Sequence, residues 1–183
     1  MADFNYQNCS IEELWKHVGV ELAKHDVDVV LVGGAVASIY TEGAYQSGDL
    51  DFVLNDFSRK KLEKVLSNLG FRRQNRHYVH PECRHLYLEF SSFPVSIGDD
   101  TSIEPSEVKV GDVVIKIYTP TDSVRDRLAS YMHFNAKECL DQAVMIAQRH
   151  PIDYGSVRIW CGKEGKSKTY DEFVARVNSV SKP

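Results

Sequence analysis

The segment Asp49-Leu50-Asp51-Phe52-Val53-Leu54 constrains this chain more than any other. Acidic and apolar residues alternate at its start, as in a strand with one face toward a core and two carboxylates on the other. Two carboxylates side by side in a dry site repel, and one takes up a proton unless a cation relieves them. Mg²⁺ favours such a pair, completed by phosphate oxygens and retained water. The pattern is a half-site for metal-assisted phosphoryl or nucleotidyl chemistry.

Upstream, Val27-Asp28-Val29-Val30-Leu31-Val32 is a β-branched run closed by Gly33-Gly34, so it reads as a buried strand ending in a tight turn. Glycines at that point let backbone N–H groups approach an anion with no Cβ in the way. The short apolar stretch Ala35 to Tyr40 suits a helix whose N-terminus faces the same anion. A third acid, Glu89, stands in His85-Leu86-Tyr87-Leu88-Glu89-Phe90, where Tyr87 and Glu89 share one strand face and the apolar residues the other. Beside Asp49 and Asp51 it completes a three-carboxylate site, as a metal ligand or as the base on an incoming hydroxyl.

The remaining periodicities give the fold class. Ile11, Leu14, Trp15, Val18 and Leu22 mark an amphipathic helix over 11–25, and Leu62, Val65, Leu66 and Leu69 a second that stops at Gly70. Segments 71–80, 86–96 and 108–119 read as strands, the last with a hairpin turn at Val110-Gly111-Asp112-Val113. After Pro120 the pattern is helical over 122–134, 136–149 and 169–180; the segment 153–166 has ambiguous periodicity and is read as helical. The expectation is an α/β (α+β) chain with a mixed sheet flanked by helices: a core over residues 1–120 and a C-terminal helical subregion over 121–183.

Charge is uneven. The net charge is -4, yet Arg59 to Arg84 holds eight basic residues against Glu63 and Glu82, a local +6. The negative net charge argues against a general nucleic-acid coat protein. Arg59 to Lys64 is read as a solvated helix face, with the arginines from 72 to 84 left as candidates for phosphate contact. No apolar run approaches the roughly 20 residues that span a bilayer. The start Met1-Ala2-Asp3-Phe4-Asn5 has no basic or apolar export signal, and the four cysteines (Cys9, Cys83, Cys139, Cys161) lack CxxC spacing. The expectation is a cytoplasmic protein with reduced thiols and no membrane partner.

Leu31-Val32-Gly33-Gly34, then Ser47-Gly48-Asp49-Leu50-Asp51-Phe52, then Glu89 resemble the signature of the DNA polymerase beta-like nucleotidyltransferase superfamily. Within it, the small bacterial abortive-infection toxin-type nucleotidyltransferases and their uncharacterised relatives are the most similar. The resemblance takes in Ile97-Gly98-Asp99 and the stretch from Asp126-Arg127-Leu128-Ala129 to Leu140-Asp141-Gln142-Ala143, most of residues 27 to 148. The chain departs from the pattern in a 14-residue spacer between Gly34 and Asp49, and in Arg127, which stands where relatives often carry a lysine at the nucleotide phosphates. The resemblance implies a nucleotidyltransferase fold. It also implies transfer of a nucleoside monophosphate from an NTP to a hydroxyl acceptor, RNA (including tRNA) or protein, in a toxin-like role. Asp49, Asp51 and Glu89 would be the catalytic and metal residues, with Mg²⁺ or Mn²⁺ as cofactor. Gly33, Gly34, Ser47, Lys116 and Arg127 would contact nucleotide, although Lys116, between Ile115 and Ile117, equally suits a solvated position. Two alternatives stand: a catalytically silent interaction module of a toxin–antitoxin type pair, and a transferase acting on a small molecule, which would need a deep pocket between the two halves.

His77, His80, Cys83 and His85 invite a zinc reading, but their spacing lacks paired CxxC or HxxxH geometry, so they are read as strand and turn residues near the mouth of a cleft. Tyr131, His133 and Phe134 are read as an aromatic cluster packing the two halves together, and Trp15 and Trp160 as core.

Overall fold

In the computed structural model, which describes residues 4–54 and 59–180, the first predicted helix is α1, Ile11–Lys24. Ser10 caps it: its hydroxyl accepts from the Glu13 N–H at 3.2 Å, and Glu13 Oε2 accepts from the Ser10 N–H at 2.7 Å. This reciprocal box satisfies two donors that a helix start leaves open. Leu14, Trp15, Val18 and Leu22 form its buried stripe.

Among the described residues, β1 Val29–Val32, β2 Asp49–Leu54, β3 Arg72–Gln74, β4 His77–Val79, β5 Tyr87–Ser92, β6 Ser106–Val110 and β7 Val113–Ile117 make one sheet in the order β3-β4-β5-β2-β1-β7-β6. β1 and β2 are antiparallel; β5 runs parallel to β2 and β7 parallel to β1. The sheet is therefore mixed, and α2 Gly33–Tyr40, α3 Arg59–Asn68, α4 Pro120–Phe134, α5 Lys137–Arg149, α6 Tyr154–Lys163 and α7 Ser167–Val180 flank it with α1, as the expected α/β class requires. Leu31, Leu50, Phe52 and Leu88 on the central strands are all but completely buried. Each such side chain contributes about 1.5–3 kcal/mol relative to exposure.

Several boundaries differ from the periodicity. The segment 71–80 is two short strands, because Asn75 turns the chain at φ 58, a left-handed conformation that asparagine tolerates. The segment 108–119 is the hairpin β6–β7, turned at Gly111 with φ 61. The 86–96 strand ends at Ser92, short of Pro94, which has no N–H for the ladder. The helix expected from 122 begins at Pro120, since Thr119 caps it by accepting from the Asp122 N–H at 3.0 Å. The ambiguous 153–166 segment is α6, capped by Asp153 and followed by Gly165 at φ 69.

Beyond β7 the described chain is helical. Buried Arg125 on α4 donates to Asp122 Oδ1 at 3.0 Å and to Asp100, tying the loop before β6 to the helices. Trp160 donates to the Ile97 carbonyl at 3.3 Å, and Trp15 and Trp160 are both core. Phe134 does not pack the halves together: it is 80% exposed, and His133 contacts Glu164 instead. No helix among the described residues is long and apolar enough to cross a membrane. The four cysteines are free and buried. The extreme N-terminus, read above for an export signal, falls largely in residues 1–3 and so outside the described residues, as do 181–183 of the C-terminal subregion.

Candidate active site

Alternation along β2 sets Asp49 and Asp51 on one face, while Leu50 and Phe52 turn into the core. The parallel register of β2 with β5 pairs Asp49 with Tyr87 and Asp51 with Glu89. Residues paired across neighbouring strands point to the same side, so the three carboxylates expected from sequence lie on one patch of the sheet. Phe52 stacks on Phe90 at 5.1 Å on the opposite face and helps to hold that register.

The patch is strongly conflicted electrically. Burial, then the neighbouring charges of Asp49 and Glu89, push the Asp51 carboxyl from its ordinary 3.8 up to about 7; Arg127 works against the rise. Asp49 is held from both sides: Ser47 Oγ donates to its Oδ1 at 2.7 Å, and the Tyr87 hydroxyl reaches its Oδ2 at 3.4 Å. Burial, followed by the charges of Asp49 and Glu89, also raises the Tyr87 phenol.

Gly33 and Gly34 pack directly against this cluster. Gly33 has φ 73, and a methyl group placed on it would sit 2.5 Å from Asp51 Oδ2. One placed on Gly34 would sit 2.9 Å from Ser47 Oγ. The glycines are thus required by the close approach of the turn to the carboxylates as well as by the backbone angle at Gly33. They open α2, whose N-cap Val32 makes no side-chain hydrogen bond, so the first N–H groups of that helix lack intrahelical partners. A helix start of this kind suits an anion beside the acids.

Arg127 reaches the same region from α4. Its side chain is 11% exposed; Nε donates to Asp126 Oδ2 at 3.1 Å, and Nη1 to Gln142 Oε1 at 3.4 Å. Burial opposes its charge, but the charge and hydrogen bond of Asp126, with smaller contributions from Cys139 and Tyr45, together more than offset it, so the guanidinium stays protonated. Lys116 is not brought to the patch. It pairs with Val30 in the sheet, and its Nζ bonds Asp28 Oδ1 at 2.8 Å, just before the start of β1, whereas the acids cluster at the end of that strand.

The β3–β4 hairpin brings Arg76, one of the arginines kept as phosphate candidates, and His77, expected near the mouth of a cleft, to Glu89 itself. Residues 77 and 89 are paired across β4 and β5. His77 Nδ1 lies 2.8 Å from Glu89 Oε1 without hydrogen-bond alignment, and exposed Arg76 places Nε 3.7 Å from the same oxygen. The local run of basic residues was the available signal for Arg76, but which arginine meets an acid depends on the strand register. His77 therefore parts from His80, which stacks on Tyr6 at 3.8 Å and accepts from the Glu82 N–H. Cys83 and His85 lie elsewhere, beside Cys9.

The donor set suits a hard divalent cation: three oxygen acids on adjoining strands, one of them driven toward protonation by burial and then by its neighbours' charges. Asp49, Asp51 and Glu89 would hold it by drawing together, since among the described residues their ligand atoms do not all lie within 4.8 Å of one another.

No family model matches the chain, and no curated protein matches it by sequence. Solved structures do resemble it. An antigenic nucleotidyltransferase-like protein from Paracoccidioides brasiliensis aligns over 75% of this chain and 75% of its own, with 13% identity and a TM-score of 0.54. The antibiotic-resistance factor ANT(2'')-Ia aligns in its solution structure over 91% of this chain and 90% of its own, with 11% identity and a TM-score of 0.53. Its crystal structure in complex with adenylyl-2''-tobramycin gives 89% and 96%, 11% identity and a TM-score of 0.51. With the mixed sheet and its flanking helices, these likenesses establish that the chain has the nucleotidyltransferase fold.

Proposed function

We propose that this protein is a metal-dependent nucleotidyltransferase that moves a nucleoside monophosphate from an NTP to a hydroxyl acceptor. The observation that carries the reading is the register of β2 with β5, which sets Glu89 beside Asp51 on the face that Asp49 shares. Mg²⁺ or Mn²⁺ held by Asp49, Asp51 and Glu89 would supply charge neutralisation for the phosphates. Around it, the chain's own groups divide the work. The N–H groups at Gly33 and Gly34 bind phosphate oxygens. Ser47 and Tyr87 hold the Asp49 carboxylate in one orientation. Arg127, and Arg76 at the exposed rim, offset negative charge on the triphosphate. Glu89 accepts the proton of the acceptor hydroxyl as its oxygen bonds to the α-phosphorus and pyrophosphate leaves.

For the acceptor, RNA or protein in a toxin-like role is the first reading. The exposed side chains of Lys60, Lys64, Arg72, Arg76 and Arg84, on and near the β3–β4 edge, support an anionic partner such as RNA. A small-molecule acceptor is the second reading: a cavity of about 590 Å³ adjoins the site at Ser38 and Ser47, although its lining lies wholly within residues 9–86 and not between the two halves. That ANT(2'')-Ia is seen with adenylyl-2''-tobramycin points the same way.

Calorimetry of each NTP with Mg²⁺, on wild type and Asp51→Asn, tests the reading. Metal-dependent binding lost in the variant supports it. Absence of binding by folded wild type overturns it in favour of a silent interaction module. Labelled-NTP transfer to total RNA, to protein and to an aminoglycoside panel then separates the acceptors.

A further inference from the structure

Cys9 precedes the Ser10 cap of α1, and Cys83 lies in the turn between β4 and β5, 74 residues away. Their sulfurs are nevertheless 4.0 Å apart, both buried. His85 Nδ1 lies 4.0 Å from Cys83 Sγ, and one ligand atom from each of the three residues falls within 4.8 Å of the other two. The imidazole is already oriented: its Nε2 lies 2.9 Å from the Cys9 carbonyl oxygen, which can only accept, so Nε2 carries the proton and Nδ1 presents its lone pair to the sulfur. A backbone carbonyl that fixes the tautomer in this way is the usual outer partner of a metal-binding histidine.

We infer that Cys9, Cys83 and His85 form a site for a thiophilic divalent cation of the zinc class, separate from the carboxylate patch. Two sulfurs at about 2.3 Å from a tetrahedral ion are about 3.8 Å apart, and sulfur and nitrogen about 3.6 Å apart. The two spacings from Cys83, both 4.0 Å, lie within a few tenths of an ångström of these values, and the Cys9 and His85 ligand atoms lie within 4.8 Å of each other. Two thiolates and a neutral imidazole balance the charge of a divalent ion, with two protons released on uptake. Access is open: Cys9 and His85 border the cavity of about 590 Å³, and His85 is exposed. The site leaves a fourth position toward that cavity for water or a ligand atom. Its mechanical effect is a clamp between the residue that precedes the cap of α1 and the turn that leads into β5, the strand that carries Glu89.

The site does not depend on nucleotide chemistry, and its test is spectroscopic. Chelator-stripped, reduced full-length protein is titrated with Co²⁺ and then with Zn²⁺. Thiolate-to-cobalt charge-transfer absorption should saturate at one ion per chain and be bleached by Zn²⁺. Oxygen ligands at Asp49, Asp51 and Glu89 give no such band, so Asp51→Asn should leave it unchanged. Cys83→Ser should abolish the band. Exposed His85→Ala, which leaves both thiols and the core in place, should weaken Zn²⁺ binding by more than about 100-fold, the upper end for loss of even an outer partner. Absence of the band in the reduced wild type, or equal Zn²⁺ affinity in folded His85→Ala, overturns the inference. So does a Cys9–Cys83 disulfide that forms under mild oxidation in a chain taking up no metal when reduced.

Discussion

Asp51→Asn should make the metal-free protein more stable above neutral pH, and the size of the gain follows from the site. The folded chain holds the Asp51 carboxyl at about 7, against an ordinary 3.8. Between these values the folded state binds more protons than the unfolded state, so stability falls as pH rises through the interval. The loss is absent below about pH 4, grows by roughly 1.4 kcal/mol for each pH unit, and reaches about 4 kcal/mol above pH 7. Solvent at the open side of the strand reduces this to roughly 2–4 kcal/mol. Asparagine keeps the shape and removes the charge. Urea denaturation in chelator at about pH 5 and about pH 8 should therefore show a gap in favour of the variant that widens with pH by about 2 kcal/mol or more. At about 2–4 °C per kcal/mol, the melting temperature should follow. Saturating Mg²⁺ should close much of the gap by stabilising wild type alone, by about 2.7 kcal/mol at a hundredfold excess over Kd. A variant that is less stable than wild type at about pH 8 in chelator, or a gap that does not change with pH, would refute the account of Asp51 as a carboxylate held against its neighbours.

Gly33→Ala should cost about 1–3 kcal/mol in chemical denaturation and abolish Mg²⁺-dependent NTP binding, because a methyl group at φ 73 meets Asp51 Oδ2; unchanged binding would show that the turn is not packed as described. Arg127→Met should cost about 3 kcal/mol by leaving Asp126 without its partner. It should also raise the Asp51 titration midpoint above about 7 in carboxyl-detected NMR, since Arg127 is the cation that holds the midpoint down. Lys116→Ala should leave Mg²⁺–NTP affinity unchanged by calorimetry and cost no more than about 1 kcal/mol, because its partner is the half-exposed Asp28. A large loss of affinity would return Lys116 to the nucleotide site.

Short-range rules made much of this protein legible from its residues. Strand alternation places Asp49 and Asp51 together whatever surrounds them, because successive side chains of an extended backbone must point to opposite faces. Helical spacing located α1 to within a residue, since it acts over one or two turns. Gly33-Gly34 marked the close approach, although only the fold reveals that Asp51 and Ser47 are what approaches. The rest depends on pairings between distant segments. Nothing local to Glu89 specifies that β5 lies parallel to β2 in the register that sets it beside Asp51, or that the β3–β4 hairpin brings Arg76 and His77 to it. Lys116 has the alternation of a cleft residue, yet Asp28, adjacent in space and distant in sequence, takes its charge. The cysteine–histidine cluster shows the same limit. Its spacing looked wrong for metal because the missing ligand was Cys9, 74 residues from Cys83 along the chain. Propensity and periodicity act over a few residues, whereas register and convergence are decided by which buried surfaces and backbone hydrogen bonds can be satisfied together.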